Sequence, residues 1–223
     1  MAAAAPAPAS KPEPPRDCPL CPRLTAFRAA NIAAHPDWYN GPAPSFGGDD
    51  ARLLVVGLAP GLQGANRTGR PFTGDYAGDL LYATLKKFGF AKGTYAARPD
   101  DGLTLESAMI SNAVRCVPPQ NKPTPAEIRT CRPFLAARMA SLPDLRAIVC
   151  LGRIAHESTL AAMGLKQKDF PFSHGARHEV GKSRLSLFDS YHCSRYNTNT
   201  GRLTVDMFES VFADVKDFLE AKG

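Results

Sequence analysis

Apolar residues along this chain fall into two patterns. The first is a set of short continuous runs, such as Leu53-Leu54-Val55-Val56 and Ala147-Ile148-Val149-Cys150-Leu151. Runs of this length, bounded by turn residues, read as strands buried on both faces. They predict strands over about 52–57, 107–114, 146–151 and 183–188, the last pairing with 177–180 as an edge hairpin across Gly181-Lys182. The second pattern has the helical period. It predicts helices over about 77–88, 124–141, 153–163 and 205–222. Thr124-Pro125-Ala126-Glu127 supplies a capping box with proline in the first turn. Gly164 stops the third helix. The last carries Met207, Phe208, Val211, Phe212, Val215, Phe218 and Leu219 on one face. Strands alternating with helices predict an α/β fold: a three-layer α/β/α sandwich around a central, mostly parallel four-stranded sheet.

Composition places the rest. The chain has 223 residues, 44% hydrophobic and 22% charged, enough for one folded domain over 18–223. Residues 1–17 are rich in Ala and Pro and predict a disordered tail. Neither a signal-peptide core nor a membrane-length apolar run is present, so the expectation is a cytoplasmic protein with no membrane partner. Lys plus Arg number 27 against 21 for Asp plus Glu, a net charge of +6 that favours a polyanionic partner.

Candidate chemistry concentrates in three segments that follow the first, second and fourth strands. A glycine-rich loop runs from Gly57-Leu58-Ala59-Pro60-Gly61 through Arg67, Arg70 and Phe72 to Asp75. It is neither a dinucleotide fingerprint nor a phosphate loop, since G-x-G-x-x-G and G-K-[S/T] are both absent. The second segment is Ser111-Asn112-Ala113-Val114-Arg115-Cys116-Val117-Pro118-Pro119. The third is His192-Cys193-Ser194-Arg195-Tyr196-Asn197-Thr198-Asn199-Thr200-Gly201. In a parallel sheet these strand ends share one edge, so the segments can converge on one pocket.

Cysteines add a second constellation. Cys18-x-x-Cys21 is a metal-type pair, and Cys116 and Cys131 form another. Together they supply four thiolates to one zinc ion or one iron–sulfur cluster, and spacing alone does not choose between them. Cys150, inside an apolar strand, reads as a core thiol.

These three segments, in this order and with these four cysteines, resemble the uracil-DNA glycosylase superfamily and its iron–sulfur branch, family five. The resemblance spans roughly residues 18–218. It implies a monomeric enzyme that flips uracil, or another deaminated base, out of DNA and hydrolyses the N-glycosidic bond, leaving an abasic site for base excision repair. It implies a [4Fe–4S] cluster on Cys18, Cys21, Cys116 and Cys131. His192 would stabilise charge on the leaving base. Asn112 would read its edge and Phe72 would stack on it, beside Gly57, Leu58 and Ala59. Asp75 would position water or stabilise charge, although Asp also caps helices well. Ser194, Arg195, Tyr196, Arg67 and Arg70 would contact DNA, with Arg202 as a further backbone contact. Cys193 departs from the proline usual in relatives, and Tyr76 and Gln63 could reshape the pocket. His35, His156 and His178 read as structural hydrogen-bonders, and His174 as a supporting residue near the site. Two other readings compete: a zinc-stabilised nucleic-acid-binding module without catalysis, and a metal-independent hydrolase of free nucleosides or nucleotides.

Overall fold

The structure, a computed structural model, describes residues 12–180 and 185–221. Its elements in chain order are α1 (Pro22–Ala34), β1 (Phe46–Gly47), β2 (Leu53–Gly57), α2 (Ala65–Thr68), α3 (Tyr76–Lys87), β3 (Ala91–Lys92), β4 (Thr104–Leu105), β5 (Ala108–Asn112), α4 (Pro125–Ala140), β6 (Ala147–Leu151), α5 (Arg153–Ala162), β7 (Arg177–Val180), β8 (Leu185–Ser190), α6 (Arg195–Asn199) and α7 (Val205–Ala221).

The central sheet has the order β1-β5-β2-β6-β8-β7. Its inner four strands, β5, β2, β6 and β8, run parallel, and β1 and β7 pair antiparallel at the two edges. Every residue of β2, β5 and β6 is buried, which is why these strands appear in sequence as unbroken runs. Successive side chains alternate between faces. Leu53, Val55, Ile110, Val149 and Phe188 pack with α3 and α7, including Leu81, Phe208 and Phe212. Leu54, Val56, Met109, Ile148 and Leu187 pack on the other face with Leu135 of α4 and Leu160 of α5. Each large side chain buried this way contributes roughly 1.5–3 kcal/mol. The predicted layers are therefore present.

Three expectations need correction. The sheet has six strands rather than four, because the expected edge strand β7 joins it and the two-residue β1 adds another. A strand of two residues is too short to show a period. Part of the segment expected as a free tail is docked: Glu13 pairs with Arg138 at 2.6 Å and with Arg115, and accepts from the Ser45 amide at 3.2 Å. Arg16 donates to the Tyr39 carbonyl and lies over that ring. The segment expected as a loop after His192 contains α6, capped by Ser194. Residues 1–11 of the tail, the Gly181-Lys182 turn, the strand positions 183–184 and the helix end at 222 lie outside the described residues. No helix among the described residues is long and apolar enough to cross a membrane.

The capping box of α4 forms as expected: Thr124 accepts from the Glu127 amide, and Glu127 accepts from the Thr124 amide at 2.7 Å. Arg23 then grips the same Glu127 with two bonds of 2.8 and 2.7 Å. The start of α4, which precedes Cys131, is thereby tied to the segment bearing Cys18 and Cys21.

Candidate active site

The three segments meet at the carboxyl edge of the sheet. Gly57 ends β2 and lies in register with Asn112, which ends β5. The two segments are laced beyond the strands, with Ala113 N–H donating to the Gly57 carbonyl and Val114 N–H to that of Leu58, at 2.9 and 3.0 Å. His192 follows β8 by two residues. Between them opens a cavity of about 380 Å³, with Phe72, Asp75, Asn112 and His192 in its wall. That is the size range of small-ligand pockets.

Asn112 is 2% exposed, and its Oδ1 has no hydrogen-bond partner. A buried amide oxygen without a donor costs roughly 1–3 kcal/mol, so the site is built to receive an N–H. Gly57 makes room for it. A Cβ there would fall 2.4 Å from Asn112 Oδ1 and 2.6 Å from the Phe72 ring. Phe72 itself holds a left-handed backbone, φ 52°, a strained state of the kind that clusters at binding sites. Its ring lies nearly parallel to His192, with centroids 6.0 Å apart.

His192 is half-buried and lines the cavity. Burial pushes its pKa down to about 4, so the imidazole is neutral at physiological pH. Its loop is pinned: Asn197 Nδ2 donates to the His192 carbonyl at 2.8 Å.

Asp75 has two oxygens in two settings. Oδ1 accepts from the Gly78 amide at 3.1 Å and caps α3. Oδ2 sits over Gly61 and Gly64, where a Cβ on Gly64 would come within 2.3 Å of it. Burial raises the carboxyl pKa above its ordinary value, partly offset by the Gly78 hydrogen bond.

The DNA-facing candidates divide. Ser194 lines the cavity, and Arg67, Arg195 and Tyr196 are exposed, Tyr196 at 72%. Arg195 lies 5.2 Å over the Tyr76 ring, which joins α6 to α3. Arg70 does not belong with them. It is 5% exposed and makes a two-pronged pair with Asp101 at 2.8 and 2.7 Å, with Phe46, Tyr82 and Tyr95 around it. Its charge is spent inside the fold. Arg202 is exposed, 4.6 Å over Tyr191.

Leu58 and Ala59 line the cavity, and so does Asn121. That residue and Gln120 both hold left-handed backbone, φ 56° and 55°, in a short 3-10 turn. The signal was the turn-rich Pro118-Pro119-Gln120-Asn121-Lys122-Pro123.

A second site lies apart from this cavity. Cys18, Cys21, Cys116 and Cys131 line one small pocket with Leu24, and all four are free thiols. Buried Arg28 reaches Cys116 Sγ at 3.9 Å and donates to the Cys18 carbonyl at 3.0 Å. The Arg115 amide donates to Cys131 Sγ at 3.3 Å. Burial pushes Cys116 up to about 11 and Cys131 up to about 12. Four convergent sulfurs with N–H donors aimed at them suit a thiolate-bound metal centre, whose binding would release their protons.

Comparison with known proteins bears on both sites. Residues 44–216 match the model of the uracil DNA glycosylase superfamily. The chain belongs to this superfamily. Within it the similarity is to the type-5 branch. A type-5 uracil-DNA glycosylase of Thermus thermophilus is 45% identical over 205 residues, covering 89% of this chain and 92% of the relative. One from Mycobacterium tuberculosis is 41% identical, covering 89% and 77%. One from Pyrobaculum aerophilum is 36% identical, covering 87% and 86%.

Proposed function

We propose that this chain excises uracil from DNA by hydrolysing the bond between the base and deoxyribose C1′, leaving an abasic site for base excision repair. The observation that carries the reading is one cavity walled by three groups of different chemistry: the unpartnered oxygen of Asn112, the neutral ring of His192 and the desolvated carboxylate of Asp75.

The roles follow from what each group offers. Asn112 Oδ1 accepts from the N3–H of uracil, and cytosine has no proton there. Its amide NH₂ suits the O4 carbonyl. Phe72 gives the flipped base a face to stack on. As the glycosidic bond lengthens, charge moves onto the base oxygens while the sugar takes on oxocarbenium character. A neutral His192 N–H donates to O2 and strengthens as O2 becomes anionic, an oxyanion-hole role. Asp75 directs water to C1′ and takes its proton. The departing base is protonated and leaves as free uracil, and the hydroxyl remains on C1′. Exposed Arg195, Tyr196 and Arg67 fit the DNA around the flipped nucleotide.

The four cysteines would hold a [4Fe–4S] cluster as a staple between the N-terminal segment, the loop after β5 and α4. Hydrolysis needs no electron transfer, and the likeness to the type-5 glycosylases favours the cluster over a zinc ion. Four cysteines committed to a metal centre rather than to disulfides accord with a reducing compartment such as the cytoplasm.

Oligonucleotides carrying uracil, hypoxanthine, xanthine or a thymine mispair, assayed for abasic sites, test the reading and define its breadth. Action only on free nucleosides or nucleotides would replace it.

A further inference from the structure

At the end of β8 that leads to His192 lies a buried polar cluster that the proposed chemistry does not use. Asp189, the next-to-last residue of β8, is 0% exposed. Its Oδ1 lies 2.7 Å from His156 Nδ1 on α5, and its Oδ2 lies 3.3 Å from His178 Nε2 on β7. The other ring nitrogen of His156 lies 2.9 Å from the Phe170 carbonyl. Phe172 packs edge-on against His156, and Phe170 against His178.

With Asp189 ionised, counting protons gives the charge. A carboxylate and a carbonyl are both acceptors, so each nitrogen of His156 needs a hydrogen and the ring is an imidazolium. Asp189 supplies the opposite charge, and His178 donates to its second oxygen. The cluster is then neutral as a whole, which burial requires. The groups facing His156 are Asp189 on β8, His178 on β7 and the Phe170 carbonyl, with Glu157 beside it on α5. Cys150 of β6 lies in register with Asp189 but bonds to Thr159. Burial alone would lower the His156 pKa. The hydrogen bond and charge of Asp189 outweigh it and raise the value above the ordinary one.

The cluster sits at the root of the segment that delivers His192. Asp189 N–H donates to the Ala176 carbonyl and its carbonyl accepts from Gly175 N–H. Gly152 N–H donates to the Ser190 carbonyl at 2.8 Å. Tyr191 N–H donates to His174 Nδ1 at 3.1 Å, and those rings stack. A Cβ on Gly152, at the corner before α5, would touch the His192 Cβ at 3.5 Å. α5, β7 and β8 thus bracket residues 189–192, and the three side chains bind these elements to one another.

We propose that the His156–Asp189–His178 triad positions His192 for catalysis, with its extra proton residing on His156. The proposal rests on the glycosylase reading for what His192 does, but its charge and its effect on the ring are observable without substrate. A misplacement of about 1 Å can cost a hundredfold in rate, so loosening this root slows turnover while leaving DNA binding intact.

The test combines imidazole nitrogen NMR of the whole protein with single-turnover excision in wild type, Asp189→Asn and His178→Gln. In wild type at pH 6.5, the ordinary histidine value, the His156 resonances are predominantly those of a doubly protonated ring. In Asp189→Asn they become those of a neutral ring, the His192 resonances shift, and turnover falls roughly tenfold to a hundredfold with unchanged DNA affinity. His178→Gln, at a partly accessible position with one bond to the cluster, is the milder variant should Asp189→Asn not fold. It shifts the His192 resonances and lowers turnover by a smaller factor than Asp189→Asn does. A neutral His156 in wild type overturns the proposal, as do unmoved His192 resonances or wild-type turnover in folded variants. If wild type releases no uracil, the glycosylase reading fails, and the NMR arm alone decides the triad.

Discussion

Replacing Asp75 by asparagine removes a negative charge while keeping the oxygen that caps α3. Oδ1 accepts from the Gly78 amide at 3.1 Å, and asparagine caps about as well as aspartate. The helix therefore keeps its start, and the cap contributes a stability change within about 0.5 kcal/mol, or 1–2 °C in a domain of this size. The pKa direction sharpens the sign. Burial raises the Asp75 carboxyl above its ordinary value, so the folded protein holds that proton more tightly than the unfolded chain. Ionisation then costs stability as pH rises through the folded pKa, and asparagine escapes the cost. Asp75→Asn should thus melt no lower than the parent at pH 8. Asp75→Ala, which loses the cap, should lose about 1 kcal/mol. Turnover behaves differently. A carboxylate that directs water and takes its proton contributes about a hundredfold or more, near 2.7 kcal/mol at about 1.36 kcal/mol per tenfold. Single-turnover excision beside calorimetric melting separates the two roles. An Asn variant that melts normally and excises within about threefold of the parent would reduce Asp75 to a cap and refute the role given to its second oxygen.

His192→Ala should lower single-turnover excision about a hundredfold or more, roughly 3 kcal/mol, with little change in affinity for uracil-containing DNA measured by anisotropy. Because the folded His192 pKa is depressed to about 4, the unfolded chain binds this proton first. Its contribution to stability is present above the ordinary histidine pKa of 6.5 and is lost as pH falls toward 4, which melting curves of parent and His192→Ala should register as a difference. Gly57→Ala places a methyl 2.4 Å from Asn112 Oδ1. It should impair excision more than the modest fall in melting temperature explains, with weakened preference for uracil over cytosine. Cys131→Ala should give colourless protein whose lost stability tracks its lost iron by elemental analysis, since three thiolates no longer close the staple.

The inner strands were legible because both faces of the sheet are covered, so burial is written directly as unbroken apolar runs at Leu53–Val56 and Ala147–Leu151. The start of α4 was legible because its capping box is a local contract among four residues. α1 was missed: it begins right after Cys21, and its few buried positions, Leu24, Arg28 and Asn31, do not form an apolar stripe. Arg70 was misread because sequence shows a charge but not its partner, Asp101, thirty-one positions away. His156 and His178 were rightly seen as hydrogen-bonders. Their shared carboxylate, brought in by the pairing of β7 with β8, was invisible until the sheet was assembled. Asn121 likewise needed the fold, since only the turn after β5 carries it to the cavity rim.

The measurement closest to the central claim is release of free uracil from a duplex with one uracil at a defined position, with chelator present and no added nucleotide. The account predicts free uracil and an intact strand that alkali then breaks at that position, with the reaction nearly abolished in His192→Ala. Uracil retained in the strand under these conditions, or direct strand cleavage that requires added magnesium, would contradict it.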